Sequence, residues 1–119
     1  MMARSGHAFA LTLLLAAPAF AQTPATAATI DRGKTVYQTW CTPCHGSGRG
    51  FPGTAALAAK YKGQPAIAAV LEDRTDLTPA AVKLFVRRGV SVMPFFRKTE
   101  ITDADLDALT TYLSNRNAR

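Results

Sequence analysis

Two cysteines and a histidine stand within five consecutive residues, Cys41-Thr42-Pro43-Cys44-His45. Two thiols three positions apart are separated by about one turn of a helix, so each can add to one vinyl group of the same porphyrin. A histidine directly after the second thiol is then placed to give a ring nitrogen to the porphyrin iron. The spacing therefore predicts covalent attachment of one haem c through Cys41 and Cys44, with His45 as an axial ligand of the iron.

The first 21 residues have the features of a secretory signal peptide. Arg4 supplies a positive charge, residues 8–17 (AFALTLLLAA) form a short apolar run, and residues 19–21 (AFA) form a small-x-small cleavage pattern. The run is too short for a membrane span, which needs about 20 apolar residues, so we expect cleavage after residue 21 and export to the periplasm. The expected organisation is a signal peptide at 1–21, a flexible leader at 22–29 and one domain at 30–119.

Three other uses of the motif are alternatives to haem attachment. A structural zinc site needs four ligands, usually cysteine or histidine, and once His7 is removed with the signal peptide no further ones remain. A thioredoxin-like pair needs a βαβ pattern around its cysteines, whereas the surrounding sequence is alanine-rich and helical in pattern. A disulfide between Cys41 and Cys44 would close a very short loop, restrain the unfolded chain little and leave His45 unexplained.

Met93 is the candidate for the second axial position on the iron. It precedes Pro94 well beyond the haem motif, and it is the one methionine left once Met1 and Met2 are removed with the signal peptide. A thioether opposite histidine raises the reduction potential and closes the iron to small molecules. The alternative is a methionine that fills a gap in the core. With Met93 on the iron, we expect an electron-transfer protein without catalytic residues, not an enzyme.

The rest of the sequence predicts short helices and no strands, that is, an all-α fold. Thr78 followed by Pro79 is a strong helix start, because threonine caps the first turn and proline suits the first helical position. Thr102 followed by aspartates marks the start of the last helix, whose apolar face contains leucines at helical spacing. The expected helices cover residues 31–40, capped by Thr29 or Asp31, then 54–60, 64–71, 78–88 and the segment after Thr102.

Glycines mark the places where the backbone could come close to another group. Gly33 lies on the first predicted helix, where it either admits another backbone or is simply tolerated near the helix start. Residues 46–53 hold four glycines and predict a loop that wraps closely around the haem edge. The apolar side chains that we expect around the haem are Phe51, Leu57, Tyr61, Ile67, Leu71, Leu84, Phe85, Val92, Phe95 and Leu109.

The charge balance predicts a redox partner and argues against nucleic acid. The chain has a formal net charge of +6, and the cations Arg87, Arg88, Arg97 and Lys98 flank the Met93 loop, where they would steer an acidic partner. A basic chain could also bind nucleic acid, but export from the cytoplasm argues against that partner. We expect no membrane span in the exported chain.

The order of helix, C-x-x-C-H, glycine-rich loop, Met-Pro and amphipathic C-terminal helix resembles the class I monohaem cytochromes c over residues 30–115. The resemblance implies a cytochrome c fold of short helices around one haem, with His45 and Met93 as axial ligands. Residues 73–79 (DRTDLTP) and 93–100 (MPFFRKTE) further resemble the cytochrome subunit of 4-cresol dehydrogenase (p-cresol methylhydroxylase) and of eugenol hydroxylase. In those flavocytochromes a flavin (FAD) subunit oxidises a 4-alkylphenol and passes the electrons to the cytochrome.

Two roles from different classes remain open on the sequence. The first is the electron-accepting subunit of a flavin-dependent 4-alkylphenol oxidoreductase, which would need an apolar docking patch, with Phe95-Phe96 beside Arg97-Lys98 as the candidate. The second is a free carrier that moves electrons between periplasmic dehydrogenases and a terminal oxidase, with a mainly polar rim. A haem enzyme or ligand sensor is a third, weaker alternative, because it would require Met93 to be off the iron.

Overall fold

The structure is a computed structural model, and it describes residues 25–116. The predicted signal peptide, residues 1–21, lies outside the described residues. Within 25–116 every regular element is helical, and the only strand-like pairing is an isolated bridge between Val90 and Met93. The all-α prediction is therefore confirmed. No helix in this range is both long enough and apolar enough to cross a membrane.

The first helix, α1, covers Ala27–Val36 and begins earlier than predicted. Thr26 has an extended backbone, and its hydroxyl accepts the N–H of Thr29 at 3.2 Å. The predicted caps Thr29 and Asp31 are therefore wrong, and α1 starts inside the segment expected to be a flexible leader (22–29). The helix uses the earliest of the available caps because the two alanines that follow Thr26 are the strongest helix formers.

A π-helical turn, which is wider than an α-helical turn, connects α1 to the haem motif. The π-helical turn Tyr37–Cys41 follows α1 directly and leads into the short helix α2, Thr42–His45. Pro43 explains the wider turn, because it has no N–H to donate and its ring would clash with the carbonyl four residues earlier. The N–H of Thr42 instead bonds the carbonyl of Tyr37, five residues back, which is the π-helical pattern.

The middle of the chain contains less helix than predicted. Helix α3 covers Pro52–Lys60 and contains the expected helix at 54–60. The predicted helix at 64–71 is wrong: the N–H of Ile67 bonds the carbonyl of Gln64 at 2.9 Å to form a single turn, and a 3₁₀ turn follows only at Leu71–Asp73. A short helix gains few hydrogen bonds for the cost of its first turn, so this apolar segment adopts turns instead.

The two helices in the second half begin at the predicted caps. The hydroxyl of Thr78 accepts the N–H of Ala81 at 3.2 Å, and α4, Pro79–Arg88, ends at Gly89, whose φ is 67°. The hydroxyl of Thr102 accepts the N–H of Asp105 at 3.1 Å, and α5 covers Asp103–Arg116. Both starts are confirmed because capping depends on residues next to each other in sequence.

Packing of α1 against α5 forms most of the core. A Cβ atom on Gly33 would lie 2.1 Å from the backbone oxygen of Ala108, so the prediction that Gly33 admits another backbone is confirmed. Leu109, expected beside the haem, is instead 1 % exposed within this core, because it lies on the face of α5 that packs inward. The buried apolar residues are Val36, Tyr37, Val82, Val86, Ile101, Leu106, Ala108, Leu109, Tyr112 and Leu113.

Replacing Gly33 by alanine is expected to lower the free energy of unfolding by about 3 kcal/mol, because the new methyl group would force α1 away from α5. The measurement is urea unfolding of the haem-loaded protein. Lys34→Ala is the matched control on the exposed side of α1 and should change stability by less than about 0.5 kcal/mol. Equal stabilities for the two variants would show that α1 and α5 can separate without cost.

Candidate haem-binding site

The attachment residues lie on one continuous stretch of helix. Cys41 ends the π-helical turn, and Cys44 and His45 belong to α2. Cys41 and His45 are half-buried, whereas Cys44 is exposed. The carbonyl of Tyr37 accepts both the N–H and, at 3.3 Å, the hydroxyl of Thr42, which fixes the junction between the two turns. The structure thus brings together the three residues that the motif placed on the haem.

The pKa of the Cys41 thiol does not suit thiol redox chemistry. Burial, with a smaller contribution from Cys44, raises the pKa of Cys41 to about 12. Redox-active cysteines need the reverse, a lowered pKa that gives a thiolate near neutral pH. No disulfide joins Cys41 and Cys44, and the described residues hold no group of three or more His, Cys, Asp or Glu side chains that could bind a metal. The thioredoxin-like and zinc interpretations therefore gain no support.

The His45 imidazole has the properties that an iron ligand needs. Burial lowers its pKa, so the ring is neutral at neutral pH and can give a lone pair to a metal. Its Nδ1 atom is buried and has no hydrogen-bond partner within the described chain, a costly arrangement in a side chain that had only a packing role. The residue itself is well fixed, because the Tyr37 hydroxyl donates to the His45 carbonyl at 2.9 Å.

The glycine-rich loop folds back onto α2 and ends against the histidine ring. The Thr54 hydroxyl donates to the carbonyl of Gly46 at 2.8 Å, and a Cβ on Gly46 would meet the Phe51 ring at 2.5 Å. A Cβ on Gly53 would lie 2.7 Å from Cε1 of His45. The glycines predicted a loop close to the haem edge, but they did not indicate the contact between Gly53 and the His45 ring, because the two residues are separated by the loop.

Gly53→Ala is expected to displace the His45 ring, lowering stability by about 2 kcal/mol and altering the absorption spectrum of the haem-loaded protein. Gly50→Ala is the matched control: its φ of 94° makes the change strained, but nothing lies within 4 Å of the new Cβ. We expect that control to lower stability and leave the spectrum unchanged. A wild-type spectrum for Gly53→Ala would contradict the contact.

Met93 lies on a separate segment between α4 and α5. It is half-buried, in a tight turn where the N–H of Val90 bonds the carbonyl of Met93 at 3.1 Å and the N–H of Met93 bonds the carbonyl of Val90 at 2.9 Å. A Cβ on Gly89 would lie 2.6 Å from the carbonyl oxygen of Met93, so only glycine fits there. One contact between this segment and the attachment segment is the ring pair Trp40–Phe96.

Large apolar side chains are exposed on α4 and on the Met93 segment. Val92 is 87 % exposed and Phe95 is 59 % exposed. Leu84 and Phe85 on α4 are also exposed, and all four belong to the set expected around the haem. So many exposed large apolar groups are unusual on a small domain in water, and the pair on α4, Leu84 and Phe85, suits a large apolar cofactor. Together with the two thiols and the neutral imidazole, the residues present fit haem c.

A buried cation lies in the segment between α3 and α4. The Arg74 side chain is 9 % exposed and is held by Asp76 through two hydrogen bonds, one of them 2.8 Å long from Nε. Its guanidinium lies 5.1 Å from the centre of the Tyr61 ring. The hydrogen bond from Arg74 lowers the pKa of Asp76, so the pair is charged at neutral pH. The arginine–aspartate spacing in residues 73–79 is the sign of this cluster in the sequence, but it does not indicate that Tyr61 lies beside Arg74.

The predicted basic rim around the Met93 loop is largely paired. Asp103 binds both Arg87, at 2.9 Å, and Lys98, at 2.7 Å, and these partners lower its pKa, with Lys98 first. Arg97 lies 3.9 Å from Glu100. Exposed ion pairs of this kind contribute little to stability. The two carboxylates nevertheless offset half of the positive charge of the four cations around the loop. A purely charge-steered docking site is therefore a weaker interpretation than it was on the sequence.

Comparison with curated proteins and with solved structures gave no match. A family model does match, the one described as cytochrome c oxidase, cbb3-type, subunit III, over residues 28–113. That range contains the C-x-x-C-H motif, Met93 and the packed part of α1 and α5. The predicted cytochrome c fold is confirmed, whereas the finer likeness to the 4-cresol dehydrogenase subunit stays a prediction. The chain belongs to this family: it is a monohaem c-type cytochrome, an electron-transfer protein that carries covalently bound haem c.

Proposed function

We propose that this cytochrome is the periplasmic electron-accepting subunit of a flavin-dependent 4-alkylphenol oxidoreductase, with His45 and Met93 as its two axial ligands. The haem, when bound, supplies a centre that takes up and releases one electron. Cys41 and Cys44 would hold it through thioethers, and His45 would offer its neutral imidazole to the iron. With Met93 in the remaining axial position, the chain leaves no coordination site for a substrate, so its role would be to pass electrons on.

The exposed apolar surface next to Met93 carries the proposal. Val92 and Phe95 are the most exposed large apolar side chains on the described chain, and both lie within two residues of Met93. A stable subunit interface needs an apolar centre of this kind. An electron carrier that binds its partners transiently would instead depend on unpaired charges at its surface. Three of the four cations that flank the Met93 loop are already paired with Asp103 or Glu100, namely Arg87, Arg97 and Lys98. This surface supports a stable partner over a transient one.

The second candidate is a free carrier that delivers electrons to a terminal oxidase. Five cations between residues 25 and 115 have no ion pair within the described chain, and they could still steer an acidic partner. The family description names an oxidase subunit, which points to that kind of electron acceptor. These unpaired cations are Lys34, Arg49, Lys60, Lys62 and Arg88.

Gentle purification from the native periplasm distinguishes the two candidates. The measurement is the ratio of flavin to haem in the fractions that contain the cytochrome, together with the mass of its mature N-terminus. We expect FAD and haem to elute together in equal amounts, and the mature chain to begin at Gln22. Haem alone, at the elution volume of a small monomer, would overturn the subunit proposal and favour the free carrier.

Introducing a negative charge on the apolar surface tests whether that surface binds the partner. Phe95→Asp should release the flavoprotein during purification, because a carboxylate cannot be buried in an apolar interface without a counter-charge. Ala104→Asp places the same charge on the exposed start of α5 and should leave the complex intact. Loss of the flavoprotein from both variants would show that net charge, and not the apolar surface, governs the association.

A further inference from the structure

The ring of Trp40 lies against the ring of Phe96 at the junction of two separate segments. Trp40 directly precedes Cys41 in the π-helical turn, and Phe96 is three residues beyond Met93. The ring centres are 5.9 Å apart and the ring planes are inclined at 74°, which is the favoured edge-to-face arrangement of two aromatic rings. The pair thus joins the haem-attachment segment to the segment that carries Met93.

Phe96 is held firmly from the other side. Its N–H donates to the carbonyl of Val86 at 2.8 Å, and its carbonyl accepts from Nη1 of Arg87 at 3.1 Å. Both partners belong to the last turn of α4. The half-buried ring of Phe96 also packs against the main core. Phe96 is therefore a fixed point, and the Trp40 ring fastens the attachment segment to it.

Because Phe96 is only three residues beyond Met93, fixing Phe96 also restricts where Met93 can lie. Three residues span at most about 10 Å even when fully extended, and Pro94 removes part of the freedom of that connection. On the other side, Met93 is bonded to Val90 in its tight turn. With both ends restrained, the position of Met93 relative to Cys41 depends on the contact between the two rings.

We propose that Trp40 and Phe96 form an aromatic latch that keeps Met93 at the haem iron. This proposal rests on the proposed axial role of Met93 and assigns the two rings a positioning function that neither the motif nor the family match contains. The latch acts through Met93, so its loss should weaken the iron–sulfur bond without removing the haem. Trp40 lies in a π-helical turn, and such turns occur frequently at functional sites.

The test is the affinity of the ferric protein for imidazole, which can bind only when Met93 leaves the iron. Trp40→Leu and Phe96→Leu should each raise that affinity about 5- to 10-fold, the effect expected from losing one aromatic pair. Trp40→Phe keeps a ring in place and should restore most of the wild-type affinity. Val90→Ala is the matched control, because it shortens an exposed side chain in the same loop and keeps the backbone bonds to Met93.

Two further measurements are informative. The first distinguishes a specific contact between Trp40 and Phe96 from a general loss of packing, and the second distinguishes failure of the latch from failure of Met93 as the axial ligand. In the double variant Trp40→Leu/Phe96→Leu, the affinity for imidazole should rise no more than in the single variants, because either substitution alone already removes the ring contact. Independent, additive increases would overturn the latch. If the ferric wild type shows a sulfur-to-iron absorption band but neither single variant changes imidazole affinity by twofold, the latch is wrong and the axial role stands. If the wild type lacks that band, the axial role fails and the latch fails with it.

Discussion

A chain with Cys41→Ser and Cys44→Ser is expected to lack covalent haem and to fold poorly, losing about 5 kcal/mol or more, which is most of the stability of a small domain. The reason lies in how apolar surface is distributed. The pair α1 and α5 contains much of the buried core, whereas α4 exposes Leu84 and Phe85. Without the haem, these side chains have few partners and the middle of the chain has little to pack against.

The measurement is far-ultraviolet circular dichroism together with urea unfolding of the double variant. Cys44→Ser alone is the control, because it keeps Cys41 and His45 and should retain a bound haem of intermediate stability. Persistence of the full helical signal and of one cooperative transition in the double variant would refute the prediction. Partial helix content without cooperativity would agree with it, since α1 and α5 could remain associated while the rest unfolds.

Local chemistry explains which parts of the fold were predictable. Thr78 before Pro79 and Thr102 before its aspartates define helix starts through atoms that are adjacent in sequence, and both were predicted at the right residue. The C-x-x-C-H motif likewise places its two cysteines and its histidine through local geometry alone. Gly33 was partly predictable: its helical context suggested a close approach, but only the structure shows that the approaching group is the carbonyl of Ala108.

The features that were missed depend on contacts between distant residues. The ring pair Trp40–Phe96 and the ion pair Arg87–Asp103 join segments whose relative placement no local pattern encodes. The predicted helix at 64–71 failed for a related reason, because its apolar residues favour helix or turn according to what they pack against. The early start of α1 at Ala27 is a smaller error, caused by a choice among several adequate caps.

Replacement of Met93 by leucine is the second variant with a large expected effect. Leucine nearly conserves the volume, so the turn with Val90 should survive, but the side chain has no sulfur to give to the iron. The reduction potential should fall by on the order of 100 mV, because a thioether opposite histidine is one of the main levers that raise it. The reduced protein should also bind carbon monoxide readily, since one axial position is then open.

Redox titration and carbon monoxide binding measure these two effects on the same samples. Val90→Ala serves as the loop control and should leave both the potential and the slow carbon monoxide binding of the wild type unchanged. The combination of outcomes matters more than either alone. A drop in potential with fast carbon monoxide binding only in Met93→Leu would identify Met93 as the axial ligand. Fast binding already in the wild type would mean that Met93 is off the iron, and would revive the haem enzyme or ligand sensor as the better interpretation.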